Sequence, residues 1–101
     1  MKRTIVTYTT KAEHADENAR LIAGVFDQLY ARAPEGLRYM VLRYGEGRFA
    51  HVVEQDAGAP SLSDFDAFRA FQENAAQRWL TRPEVNEVTI VGSYGMLRDP
   101  T

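Results

Sequence analysis

The chain contains no cysteine. Disulfides and thiolate chemistry are therefore excluded, and nothing in the sequence requires an oxidising compartment. No window approaches the ~18 consecutive apolar residues that a membrane span needs. The basic start, MKRTIVTYTTK, is not followed by a continuous apolar run of the secretory kind, and its alternation reads as a strand. Excess basic charge is missing as well: 12 Lys and Arg stand against 14 Asp and Glu, for a formal charge of −2. That balance lacks the electrostatic footprint of a nucleic-acid binder. Metal-ligand spacing is absent, since His14 and His51 are far apart and neither has a nearby partner in sequence. No G-x-S-x-G elbow or other nucleophile motif occurs. Gly45-Glu46-Gly47 is too short for a phosphate loop and precedes a strand instead of a helix. These absences predict a cytoplasmic protein with no metal, no cofactor, no nucleic-acid partner and no membrane partner.

What remains is a chain of 101 residues, 45% hydrophobic and 26% charged, close to globular averages and sized for one domain over residues 1–101. Its centre is Leu37 to Glu54, LRYMVLRYGEGRFAHVVE, two alternating β-rich runs around a glycine-containing turn. This is the pattern of a β-hairpin. Upstream, Thr4 to Thr10 is dense in β-branched residues and predicts a strand. From Ala15 to Ala31 the apolar positions Ala15, Ala19, Ile22, Ala23, Phe26, Leu29 and Tyr30 recur at helical spacing, and Ala33-Pro34-Glu35-Gly36 ends that helix. Downstream, Ser61 and Ser63 are candidate N-caps for a second helix. It carries Phe65, Phe68, Phe71 or Gln72, Ala75, Ala76, Trp79 and Leu80 on one face and ends at Thr81-Arg82-Pro83. Glu84 to Met96 then predicts the last strand, with Gly92 and Gly95 marking a bend or close approach. The order is β-α-β-β-α-β, an α+β architecture.

Alternation separates the two faces of each strand. Leu37, Tyr39 and Val41 oppose Met40, Leu42 and Tyr44; Phe49, His51 and Val53 oppose Ala50 and Val52. Two short helices cover only one face of a four-stranded sheet, yet both faces are substantially apolar. An antiparallel sheet wetted on one side carries polar residues there. A second copy of the chain is the simplest cover for the other face, so a homodimer is expected. The alternative is that scattered surface hydrophobics need no partner.

The hairpin GLRYMVLRYGEGRFAHVVEQD, the helix FDAFRAFQENAAQRWL and the closing VGSYG resemble the antibiotic-biosynthesis-monooxygenase-like family. The resemblance spans nearly the whole chain and lies in layout and pattern. It implies a ferredoxin-like fold, a four-stranded antiparallel sheet with two helices on one face, and pairing into a dimeric α/β barrel. It also implies a small pocket between helices and sheet. The family includes cofactor-independent oxygenases acting on polycyclic aromatics, heme-degrading enzymes and proteins without known activity. The heme-degrading branch uses an Asn on the first strand, a Trp on the second helix and a His at that helix's end. Trp79 falls near the Trp position, but the first strand offers Thr7 and Thr9, and no histidine follows His51. Heme degradation is not expected.

His51 is the candidate catalytic residue: it shares a strand face with Phe49 and Val53, so burial should favour its neutral form, which can act as a general base. The competing reading is a hydrogen-bonded core or interface histidine. Tyr8, Tyr39, Trp79 and Tyr94 are the candidate substrate-binding residues, aromatic bodies with polar tips of the kind that line small-molecule sites. Core packing accounts for Phe26, Phe65, Phe68 and Phe71. The same element order also builds RNA-recognition domains, and Arg48-Phe49-Ala50-His51-Val52 echoes their third-strand motif. The glycine after the basic residue is missing, however, and His51 stands in place of a stacking aromatic. The sequence thus points to a cofactor-independent monooxygenase-like protein taking a small aromatic or apolar ligand. Its rival is a non-catalytic small-molecule-binding or structural dimer.

Overall fold

The hairpin organises the sheet. In the computed structural model, which describes residues 1–96, strand β2 (Leu37–Tyr44) turns through Gly45-Glu46-Gly47 into β3 (Arg48–Gln55). The two strands stay in antiparallel register from Leu37 opposite Gln55 to Tyr44 opposite Arg48. Gly45 takes a positive φ of 61°, open to glycine without steric cost. Gly47 is needed for a different reason: a Cβ there would lie 2.9 Å from Thr10 Oγ1 and 3.1 Å from the Thr10 carbonyl oxygen. That close approach lets the Thr10 N–H donate to the Gly47 carbonyl at 2.7 Å, tying the turn to the end of β1 (Lys2–Thr10).

Strand β1 runs antiparallel to β3 on one side and to β4 (Trp79–Glu87) on the other, giving the sheet order β2-β3-β1-β4. Helix α1 (Ala15–Arg32) and helix α2 (Asp66–Gln72) cover one face. This is the ferredoxin-like α+β architecture, with two helices against one side of an antiparallel sheet. The core between the layers is Tyr8, Ile22, Val25, Phe49 and Phe71, with Phe26, Tyr39, Phe68 and Trp79 packed around it. Each large side chain fully removed from water there stabilises the fold by roughly 1.5–3 kcal/mol.

Helix α1 ends as expected, with Ala33 in the left-handed region donating its N–H to the Leu29 carbonyl at 2.7 Å, followed by Pro34. Of the expected stripe, Ala15, Ala19, Ile22, Phe26 and Leu29 pack inward, whereas Ala23 and Tyr30 face solvent. Val25 and the polar Asn18, whose amide has partners inside the core, join the buried side.

The second helical region departs more from expectation. Ser61 caps a single 3₁₀ turn (Leu62–Asp64) through a capping box with Asp64, and α2 starts only at Asp66. It stops at Gln72, since Asn74 sits in the left-handed region with φ 62°. One further turn, α3 (Ala75–Arg78), leads directly into β4. Trp79 is therefore the first residue of a strand, opposite Thr10, and Thr81-Arg82-Pro83 lies within that strand instead of terminating a helix. Two features account for this. Arg78 turns inward and its Nη2 donates to the Phe71 carbonyl at 2.7 Å, satisfying one of the last acceptors of α2. Pro83 is tolerated because β4 is an edge strand, where a missing N–H breaks no interior ladder. Residues 88–96, expected to extend the strand, have no regular structure beyond the Val88 N–H donating to the Arg3 carbonyl at 3.0 Å.

The opposite sheet face is uncovered in the monomer. Ile5, Met40 and Val52 share a register row there, as do Leu42 and Ala50, with Leu42 and Tyr44 about half exposed. At one end of this face Glu54 accepts from both Arg3 (2.5 Å) and Arg38 (2.8 Å), and Arg38 also reaches Asp56 (2.8 Å). The hydrogen bonds from Arg38 and Arg3 hold the Glu54 carboxyl below its ordinary range. No helix among the described residues is long and apolar enough to cross a membrane.

Candidate functional site

Strand pairing puts three of the sequence-predicted residues together on the helix-covered face. Val6, His51 and Val41 form one register row; the flanking rows place Tyr8 beside Phe49 and Tyr39 beside Val53. The side chains follow that lattice. His51 Nε2 lies 2.8 Å from the Tyr8 hydroxyl, and His51 Nδ1 lies 2.5 Å from the Tyr39 hydroxyl. Both ring nitrogens are therefore engaged by phenols. The imidazole is also packed against the Phe71 ring at 5.7 Å between centroids.

Two residues that sequence reasoning did not single out extend the cluster. Asn18 donates from Nδ2 to the Tyr8 hydroxyl at 2.8 Å, and Arg78 donates from Nε to Asn18 Oδ1 at 3.0 Å. Asn18 and Arg78 are 1% and 3% exposed, deeper than most of the apolar core. Among the described residues Arg78 has no carboxylate partner; its charge is met by Asn18, by the Phe71 carbonyl and by the Phe71 ring, 5.3 Å from the guanidinium carbon to the centroid. One signal was available for Asn18, a polar residue three after Ala15 and four before Ile22, squarely on the helical stripe. Arg78 gave none, because its burial depends on the break between helices at Asn74.

The electrostatics follow from burial. Loss of solvation lowers the His51 pKa to about 4, so the imidazole is neutral at ordinary pH. Burial raises the pKa of Tyr39, with the neighbouring Tyr8 adding to it. Burial also raises that of Tyr8, opposed by the Asn18 hydrogen bond and the Arg78 charge. All three groups in the middle of the chain are uncharged.

Tyr39 connects this cluster to the outside. Its ring stacks on Phe26 (5.0 Å between centroids, 9° between planes) and lines a cleft of about 240 Å³. Phe26, Leu29, Tyr30, Ala33, Pro34 and Leu37 form the rest of the lining, from the last turns of α1 and the start of β2. Among the described residues no charged side chain lines the cleft. Of the other candidates, Trp79 packs against the core cluster from β4, while Tyr94 is 96% exposed in the segment after β4 and away from the cleft. Among the described residues no group of three or more His, Cys, Asp or Glu side chains could hold a metal ion.

The sequence matches no family model and no curated protein at a significant level. Solved structures do match. A candidate antibiotic biosynthesis monooxygenase from Nitrosomonas europaea superposes with a TM-score of 0.72 at 14% identity, over 92% of each chain. One from Caulobacter crescentus gives 0.68 at 14% identity over 89% of each chain. The chain shares its fold with these structures. A third structure, of an antibiotic biosynthesis monooxygenase, gives 0.61 at 14% identity over 91% of this chain and all of the other. At such identities the likeness concerns the backbone. Within this fold the side chains just described set the chemistry: a neutral imidazole between two phenols, backed by a buried guanidinium, with Tyr39 also lining the cleft.

Proposed function

We propose that this protein binds a small aromatic molecule in the cleft beside Tyr39 and oxidises it as a cofactor-independent monooxygenase. The observation that carries the reading is the His51–Tyr39 hydrogen bond of 2.5 Å, which joins a buried neutral imidazole to a residue of the cleft wall. In such chemistry an activated CH₂ of the substrate loses a proton and the carbanion bonds to dioxygen. The resulting peroxide loses water and leaves a carbonyl, so that one oxygen atom enters the product and the other leaves in water. The protein needs a dry pocket, an acid–base group and a donor for the developing oxyanion. His51 is the acid–base group, Tyr39 its contact with the substrate, and Tyr8 holds the ring from the other nitrogen. Trp79 borders the core behind them. A second copy of the chain on the open sheet face closes the barrel.

Oxygen uptake with an anthrone-type substrate tests this. Wild type should consume oxygen above the uncatalysed rate, and His51→Gln should fold but lose about 10²-fold or more of the rate, as for removal of an acid–base group. No uptake by wild type, or full activity in His51→Gln, sinks the assignment. One observation favours a second reading, a non-catalytic small-molecule binder: with both nitrogens occupied and a pKa of about 4, His51 is a weak base. Ligand binding without oxygen uptake would select it.

A further inference from the structure

We infer that helix α2 is a hinged cover over His51, and that it lifts to join the imidazole to the cleft. The access route rests on the proposed function, which makes the cleft the binding site; the hinged motion does not.

With α2 down, the cleft and the imidazole share no space. His51 is 5% exposed, both its nitrogens are held by phenols, and it is not among the residues that line the cleft. Tyr39 stands between the two, its ring on the cleft wall and its hydroxyl turned inward to His51. The sheet beneath the ring is fixed, since β3 pairs with β1 and β2 along its whole length. Helix α1 is fixed as well, by the buried Ala15, Asn18, Ile22 and Val25.

Helix α2 lies over the ring and is attached more lightly. Phe71 packs on the imidazole, and Phe68 meets the Tyr39 ring edge-on at 6.4 Å between centroids. Of the seven residues of α2, only Phe71 is buried. The Ala67 N–H donates to Gln28 Oε1 on α1 at 2.8 Å, and the Phe71 carbonyl accepts from Arg78. The backbone leaves the helical region at both ends: Phe65 is extended (φ −104°, ψ 132°), Glu73 is extended (φ −62°, ψ 126°) and Asn74 is left-handed. Buried side chains anchor the chain on either side, Leu62 and Phe65 before α2 and Ala75 and Arg78 after it. A short segment between two anchored breaks has the construction of a lid. Arg78 is its latch: held to Asn18 through Nε, it gives Nη2 to the last turn of α2. When α2 lifts, Phe71 uncovers the face of the imidazole. Tyr39, freed of Phe68, then has room to turn off the ring nitrogen it holds.

The test is labelling of His51 in the wild-type protein by diethylpyrocarbonate, which modifies an unprotonated imidazole. Mass spectrometry at pH 7 reads it, with the more exposed His14 as reference. Hydrogen exchange of the β3 amides reports how often the whole domain unfolds. A cover that is open about 1% of the time should let His51 react at least about tenfold faster than that unfolding allows. Labelling at the unfolding rate overturns the inference. Because the chain has no cysteine, Gln28→Cys together with Ala67→Cys sets a lone pair of thiols across the contact between α1 and α2. Bridging them with dibromobimane should slow His51 labelling by about tenfold or more and leave His14 unchanged. No slowing in the bridged, folded protein overturns the cover. Arg78→Met should raise the ratio of His51 labelling to β3 exchange by about tenfold, as for loss of one hydrogen bond from a charged donor. An unchanged ratio overturns the latch. If His51 labels as stated while wild type takes up no oxygen with an anthrone-type substrate, the cover is upheld and the proposed chemistry falls.

Discussion

At the scale of single residues, the protein holds a histidine, an asparagine and an arginine where most domains hold only hydrocarbon. Such an arrangement leaves a signature in stability. The unfolded His51 imidazole titrates near 6.5 and the folded one near 4. Between those values the unfolded chain binds a proton that the folded chain does not, so stability falls as pH is lowered through that window and is fully present above it. The loss attributable to His51 should total about 3 kcal/mol. Urea denaturation of wild type and His51→Gln at pH 7, 5 and 4 checks it: the gap between the two curves should narrow toward pH 4, and a constant gap contradicts the burial of a neutral imidazole. Arg78→Met should cost about 2–3 kcal/mol by leaving Asn18 Oδ1 and the Phe71 carbonyl without donors, measurable by the same titration at pH 7. His51, Tyr8 and Tyr39 were legible in the sequence because period-two alternation assigns strand faces without knowledge of the fold. Asn18 and Arg78 were not, since the reading of helices rests on apolar spacing, and a buried polar residue registers there only as an interruption.

At the scale of elements, boundaries set by local chemistry were legible and those set by tertiary contacts were not. The α1 stop at Ala33-Pro34 and the hairpin turn follow from residues that allow little else. The region from Phe65 to Trp79 has helical spacing throughout, and its phenylalanines and alanines alone favour one long helix. Asn74 in the left-handed region and the pull of Arg78 into the core decide otherwise, and β4 begins seven residues after α2 ends. Asn74→Val should therefore destabilise, by about 1–3 kcal/mol, because a β-branched residue strains at φ 62°; thermal denaturation followed by circular dichroism measures it. Gly47→Ala makes a parallel case. Its Cβ would press on Thr10 Oγ1 and the Thr10 carbonyl, loosening the turn from β1, for an expected loss of about 1–3 kcal/mol.

At the scale of the whole molecule, the two sheet faces have separate tasks. One holds the core, the His51 cluster and the cleft; the other carries Ile5, Met40, Leu42, Ala50 and Val52 beside the Arg3–Glu54–Arg38 ion pairs. If a second copy covers that open face, wild type should sediment as a dimer at micromolar concentration and Leu42→Glu as a monomer. A monomeric wild type at that concentration contradicts the barrel. The central claim is narrower: the polar chain ending at Tyr39 meets its ligand in the cleft between α1 and β2. NMR titration of ¹³C,¹⁵N-labelled protein with 1-tetralone, followed by intermolecular NOEs, tests that claim most directly. The account predicts NOEs from the ligand ring to Phe26, Leu29 and Tyr39, together with a shifted Tyr39 hydroxyl environment. NOEs confined to Met40 and Leu42 on the opposite face, or none at saturating ligand, would contradict it.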